Sequence, residues 1–221
     1  MFLSPIAYVV MIVFLAVTGW VFFSTFFLEG RADLRRLFTL LPLTLGLVAP
    51  AVTMRQLSEE LASGTYETIL TLPITAVDIL VGKYCAAVAF LTAVLLPTLA
   101  YPISIATLAP LDWGPVAGGY LGAVLLASLY CAFGLLASSA SKNQVVSFIL
   151  GVSACAFLAL VDKVLFVVPG SIAGVLQFLG ADYHFQNIAR GVLDSRDVVY
   201  FASLAFLALY ATHAVMGNRR G

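Results

Sequence analysis

Charge is what this sequence has least of. Charged side chains make up 10% of its 221 residues, against about a quarter in soluble proteins. Eleven basic residues balance eleven acidic ones. A zero net charge implies no general affinity for polyanions, so no nucleic-acid partner is expected. Cysteine occurs three times, at Cys85, Cys131 and Cys155, each inside an apolar run and without metal-ligand spacing. These read as packing residues rather than ligands or disulfide partners. Histidine occurs twice. His213, near the end of the last apolar run, reads as an interfacial or helix-bonded residue, and His184, in a polar loop, as a solvated one. HExxH, CxxC and Gly-rich phosphate loops are all missing, as is GxxxxGK[ST], so the chain does not bind ATP through a Walker motif. The string Gly151-Val152-Ser153-Ala154 lacks the second glycine that a GxSG nucleophile would have. No metal site, resident cofactor or catalytic residue emerges, and the chain is not expected to be an enzyme.

What is abundant is apolar length. Hydrophobic residues make up 62% and the mean hydropathy is +1.06, the composition of an integral membrane protein. A span needs about 20 apolar residues. The sequence predicts an all-α, polytopic fold in one transmembrane domain over 1–221, with spans at 5–28, 38–54, 84–109, 116–137, 145–168 and 198–216. The first run is too long for a signal peptide, and Met1–Ser4 lack its basic residues. Pro42 and Pro50 in the second run, and Pro97 and Pro102 in the third, are expected to kink their helices. In the fourth run Gly119, Ala123 and Ala127 recur every four residues, a ladder that lets another helix approach closely. A mildly apolar element at 170–180 is too short to span and reads as re-entrant or interfacial. The residues from Asp182 to Asp197 read as a polar loop.

The longest polar interval runs from Met54 to Lys83 and holds Arg55, Glu59, Glu60, Glu67, Asp78 and Lys83. In hydrocarbon each unpaired charge would cost several kcal/mol, so this stretch belongs at a membrane surface. Leu57, Leu61, Ile69, Leu70 and Leu72 form an apolar side at roughly helical spacing. Gly64 is placed to end one helix. Thr65 is placed to cap the next, with Glu67 in its first turn, Pro73 stops it, and Thr75–Asp78 begin another. Short capped helices on a membrane face suit docking of a soluble partner.

Thr53, Met54, Arg55, Glu59, Glu60, Gly64, Thr65, Glu67, Leu70, Pro73, Gly82 and Lys83 also follow a family pattern, and Ser4–Val10 (SPIAYVV) provides a second match. Together they resemble ABC type-2 export permeases, closest to the branch of the gliding-motility and copper-site-maturation permeases. The resemblance implies six spans, a cytoplasmic coupling loop over 55–83 and a re-entrant helix before the last span. It implies a dimeric cytoplasmic ABC ATPase carrying ATP and Mg, and a second permease copy or paralogue. It also implies a multi-pass location in the cell (inner) membrane with cytoplasmic termini. Basic residues divide five against five between the two faces and do not choose an orientation. Relatives usually carry a basic amphipathic segment before the first span, whereas this sequence starts Met1-Phe2-Leu3-Ser4-Pro5. That implies a truncated start or one ATPase contact fewer.

Asp162 and Lys163, near the end of the fifth run, admit two readings. One is a snorkelling lysine beside an aspartate bonded to a neighbour; the other is a polar lining of a translocation path or an ion-coupling carboxylate. The second underlies the alternative function, an ion-coupled secondary transporter. Such a transporter should show inverted repeats and midplane polar groups in both halves. The first three spans carry almost none.

Overall fold

In a computed structural model, residues 5–29, 34–69, 73, 75–107, 111–163 and 178–218 are described. All regular structure among them is helical: α1 (Pro5–Glu29), α2 (Arg35–Ser63), α3 (Thr65–Ile69), α4 (Ala76–Leu95), a 3₁₀ turn (Leu96–Leu99), α5 (Ala100–Ala106), α6 (Trp113–Ala140), α7 (Gln144–Leu160), α8 (Ala181–Ala189) and α9 (Ser195–Asn218). Among the described residues, four segments are long and apolar enough to cross a membrane: Arg35–Ser63, Ala76–Ala106, Trp113–Ala140 and Ser195–Gly217. The part of α1 from Tyr8 to Ser24, and α7, Gln144–Leu160, are apolar stretches of 10–17 residues. The element expected at 170–180 lies outside the described residues apart from 178–180.

Helix α6 is the axis of the bundle, packing against α2, α4, α7, α8 and α9. Its sequence explains why. Asp112 caps it through Gly114 N, and its small residues let neighbours approach on several sides. A Cβ on Gly119 would stand 2.3 Å from the Phe38 ring of α2, and one on Gly134 would stand 2.0 Å from Thr53 Oγ1. A Cβ on Gly118 would stand 2.3 Å from the Ile188 carbonyl oxygen of α8. Ala123 and Ala127 are fully buried. Positions facing away from the bundle instead carry large exposed apolar side chains such as Ile12, Trp20, Phe206 and Tyr210.

The prolines act unequally. Pro42 and Pro50 sit inside an α2 that continues through both, and Pro50 lies against Gly151 of α7, which leaves room for its ring. At Pro97 the third apolar run changes to the 3₁₀ turn before α5. That break is pinned to α6, because the Tyr120 hydroxyl donates to the Thr98 carbonyl at 2.8 Å.

Two helices extend furthest past their expected spans. α2 continues unbroken from Met54 to Ser63, up to the expected cap at Gly64, and α4 starts at Ala76, within the expected Thr75–Asp78 start and ahead of Tyr84. Charge ends a span's stay in hydrocarbon, not its helix, because backbone hydrogen bonds continue into water. Residues 181–189 correct the expectation of a polar loop from Asp182 to Asp197. They form α8, with Ala181, Phe185, Ile188 and Ala189 buried.

Candidate functional site

The described residues of the Met54–Lys83 stretch form an elbow at one end of the bundle. α2 carries its charged last turns to Gly64, which adopts φ 72°, the left-handed cap conformation. A Cβ there would meet nothing within 4 Å, so the glycine answers a backbone need alone. Thr65 is the first residue of α3 rather than its cap, with Oγ1 2.8 Å from Ser63 Oγ. Pro73 is exposed. Thr75 and Asp78 form a reciprocal capping box that opens α4.

Beneath the elbow lies a small second core of Leu57, Tyr66, Leu80, Leu135 and Met216, drawn from α2, α3, α4, α6 and α9. The charges above it are paired. Arg55 Nε lies 3.1 Å from Glu59 Oε2 on an exposed helix face. Lys83 Nζ reaches across from α4 to Glu60 Oε1 at 2.5 Å and to the Gln56 carbonyl at 2.6 Å, with both charged side chains mostly buried. Glu60 therefore ties two helices of this chain together, while Glu59 stays at the surface. The Glu67 side chain lies outside the described residues. Gly82 is exposed, and a Cβ there would meet nothing.

A serine joins the elbow to the axis. Ser138 Oγ of α6 accepts from Leu57 N and Ser58 N, both at 3.1 Å, and donates to the Met54 carbonyl at 2.8 Å. The Ser58 hydroxyl also donates to the Met54 carbonyl.

The other end of the bundle holds a buried polar group. His184 is not solvated. It is 1% exposed, its Nδ1 is 2.6 Å from Asp197 Oδ1, its Nε2 is 2.9 Å from the Phe178 carbonyl oxygen, and its ring stacks on Tyr200 at 3.9 Å. A carbonyl only accepts, so Nε2 carries a proton. Facing Nδ1, either the imidazolium donates or Asp197 does. In both arrangements the pair holds two protons and no net charge, which suits a buried site. Lys163 Nζ pairs with Asp182 Oδ2 at 3.4 Å, and Gln186 Nε2 donates to Asp182 Oδ1 at 3.1 Å. Asp162 is not part of this contact. Its Oδ1 is buried without a hydrogen-bond partner among the described residues.

A family profile described as ABC-2 family transporter protein matches residues 2–189. The chain belongs to that family. A comparison with curated proteins returns no match. The permease is thus a multi-pass membrane protein, and its family implies an ABC ATPase as partner.

The permease brings together two pairs from its predicted coupling residues, Arg55 with Glu59 and Glu60 with Lys83, and sets Gly64 and Thr65 at the elbow. Gly119, Ala123 and Ala127 are buried in α6. Three partners escaped sequence reasoning: Ser138, Asp182 and Asp197. Ser138 carried no local signal. The burial of the Asp182 region was signalled by Ala181, Phe185, Ile188 and Ala189, which repeat at helical spacing.

Proposed function

We propose that this chain is the membrane-spanning permease subunit of an ABC exporter, coupled through the Met54–Lys83 elbow to a separate ATPase dimer that carries ATP and Mg. In this reading it crosses the cell (inner) membrane six times, with its termini and the elbow in the cytoplasm. It pairs with a second copy or a paralogue around the translocation path. The gliding-motility and copper-site-maturation permeases remain the branch it most resembles in sequence. The observation that carries the proposal is the unbroken run of α2 out of its apolar segment into a capped, charged, internally braced elbow. A mere connector between spans has no need of such bracing. No specific observation favours an ion-coupled secondary transporter, since Lys163 is engaged by Asp182.

The test is co-purification with candidate ABC ATPases, and ATP turnover of the reconstituted complex. Gly64→Val, which strains a left-handed position without a clash, should uncouple turnover from transport while leaving assembly intact. Glu59→Lys at the exposed face should weaken assembly. If both variants assemble and transport normally, the coupling role is wrong. Orientation is checked with single cysteines at Ser141 and Ser195 in a background lacking the three native cysteines. An impermeant reagent should label Ser195 but not Ser141 from outside.

A further inference from the structure

We propose that the end of the bundle opposite the elbow carries a proton-binding site, in which the Asp162 carboxyl holds one proton in the resting protein. Asp162 stands two residues beyond the end of α7, and its Oδ1 is buried without a hydrogen-bond partner among the described residues. Two charges of described residues reach it: Asp182 of α8, of like sign, and Lys163, of opposite sign. The donors close to its carboxyl are the backbone N–H groups of Asp162 itself and of Lys163. Lys163 is already engaged, because its Nζ lies 3.4 Å from Asp182 Oδ2. One ammonium therefore faces two carboxylates.

The neighbouring described residues bring no second cation to the site. Tyr130 of α6 and Tyr200 of α9 lie within electrostatic reach of Asp162. Tyr130 is fully buried and its hydroxyl has no partner among the described residues, while the Tyr200 hydroxyl donates to the Leu179 carbonyl. His184 of α8 and Asp197 of α9 form a pair of their own without net charge. The charged residues of α2, which packs against α7 and α8, lie near its two ends, and none of them acts on Asp162. Two carboxylates that share one ammonium in a half-buried site cannot both stay ionised cheaply, so one takes a proton. Asp182 has the Lys163 ammonium and the Gln186 amide. Asp162 has no side-chain partner among the described residues, so the proton falls to it. A neutral carboxyl also adds an O–H donor to a cluster rich in acceptor oxygens. Loss of the proton sets a second carboxylate competing for Lys163 and weakens the hold of Lys163 on α8.

The test uses the full chain in lipid nanodiscs and dicyclohexylcarbodiimide, a hydrophobic reagent. The reagent takes the proton of a neutral carboxyl, the carboxylate adds to its central carbon, and rearrangement leaves a stable N-acylurea. Peptide mass spectrometry should find this adduct on Asp162 at neutral pH, declining as the pH is raised, and not on the exposed Asp194. Asp182→Asn frees Lys163 for Asp162, so the adduct there should fall at least about tenfold. Lys163→Gln removes the one opposing charge, so the adduct should persist to higher pH. Infrared difference spectra between low and high pH need no access by a reagent. The C=O band of a protonated carboxyl should appear in the wild type and lose intensity in Asp162→Asn. If Asp182→Asn fails to fold, Lys163→Gln and the infrared band decide. A band that Asp162→Asn leaves unchanged, or an adduct that Asp182→Asn leaves unchanged, overturns the proposal.

Discussion

Residues 54–83 and 182–197 are both polar islands in an apolar chain, yet their ion pairs lie at different depths. The first carries Glu59 at the surface in a pair with Arg55. The second hides Asp197 and His184 almost completely. The difference lies in where the apolar residues fall. In 182–197 they follow a helical period that fits the Gly118–Gly122 face of α6, and their burial carries Asp182 and His184 inward with them. In 54–83 Leu57, Tyr66 and Leu80 dock one side of the elbow on the second core, while Glu59 stays exposed. Charge content alone does not set depth; it sets what each charge must find once there.

That contrast can be broken, beginning with the largest expected effect. His184→Leu leaves Asp197 buried with neither carboxyl oxygen partnered among the described residues, and should cost about 3–5 kcal/mol. Adding Asp197→Leu should recover most of it, read by thermal unfolding in detergent. If His184→Leu is neutral, the second island is not held by its polar pair. Next, Gly134→Ala drives a methyl into Thr53 and should cost about 1–3 kcal/mol by overpacking. The same measurement in a Thr53→Ala background should show a smaller loss. Glu60→Ala removes a mostly buried partner of Lys83 and should cost about 1.5–3 kcal/mol. Glu59→Gln, on the exposed pair, should cost less than about 1 kcal/mol. Equal losses at Glu59 and Glu60 would erase the distinction between surface and brace within the elbow.

Much of this was legible before any coordinates. Left-handed Gly64, the helix start at Thr75–Asp78 and the buried ladder of Gly119, Ala123 and Ala127 all follow from local rules, because each depends on residues within a turn or two. What stayed hidden depends on distant partners. Ser138 meets the α2 backbone across 80 residues of sequence, and Lys163 finds Asp182 rather than its neighbour Asp162. The burial of His184 is hidden for a different reason: the polar content of 182–197 masks the helical period of the apolar residues between.

The Ser138 hydroxyl grips α2 at Leu57 and Ser58, close to one end of that helix. At 1.5 Å per residue the grip divides α2 into a short arm of about 9 Å to the elbow and a long arm of about 33 Å to Arg35. Three hydrogen bonds on one hydroxyl fix the register of α2 on α6 at this point, while Phe38 on Gly119 holds the far arm to the same helix. A tilt that moves the elbow by a given distance moves the other end between three and four times as far, by about the ratio of the two arms. The first contact to register it would be Phe38 on Gly119.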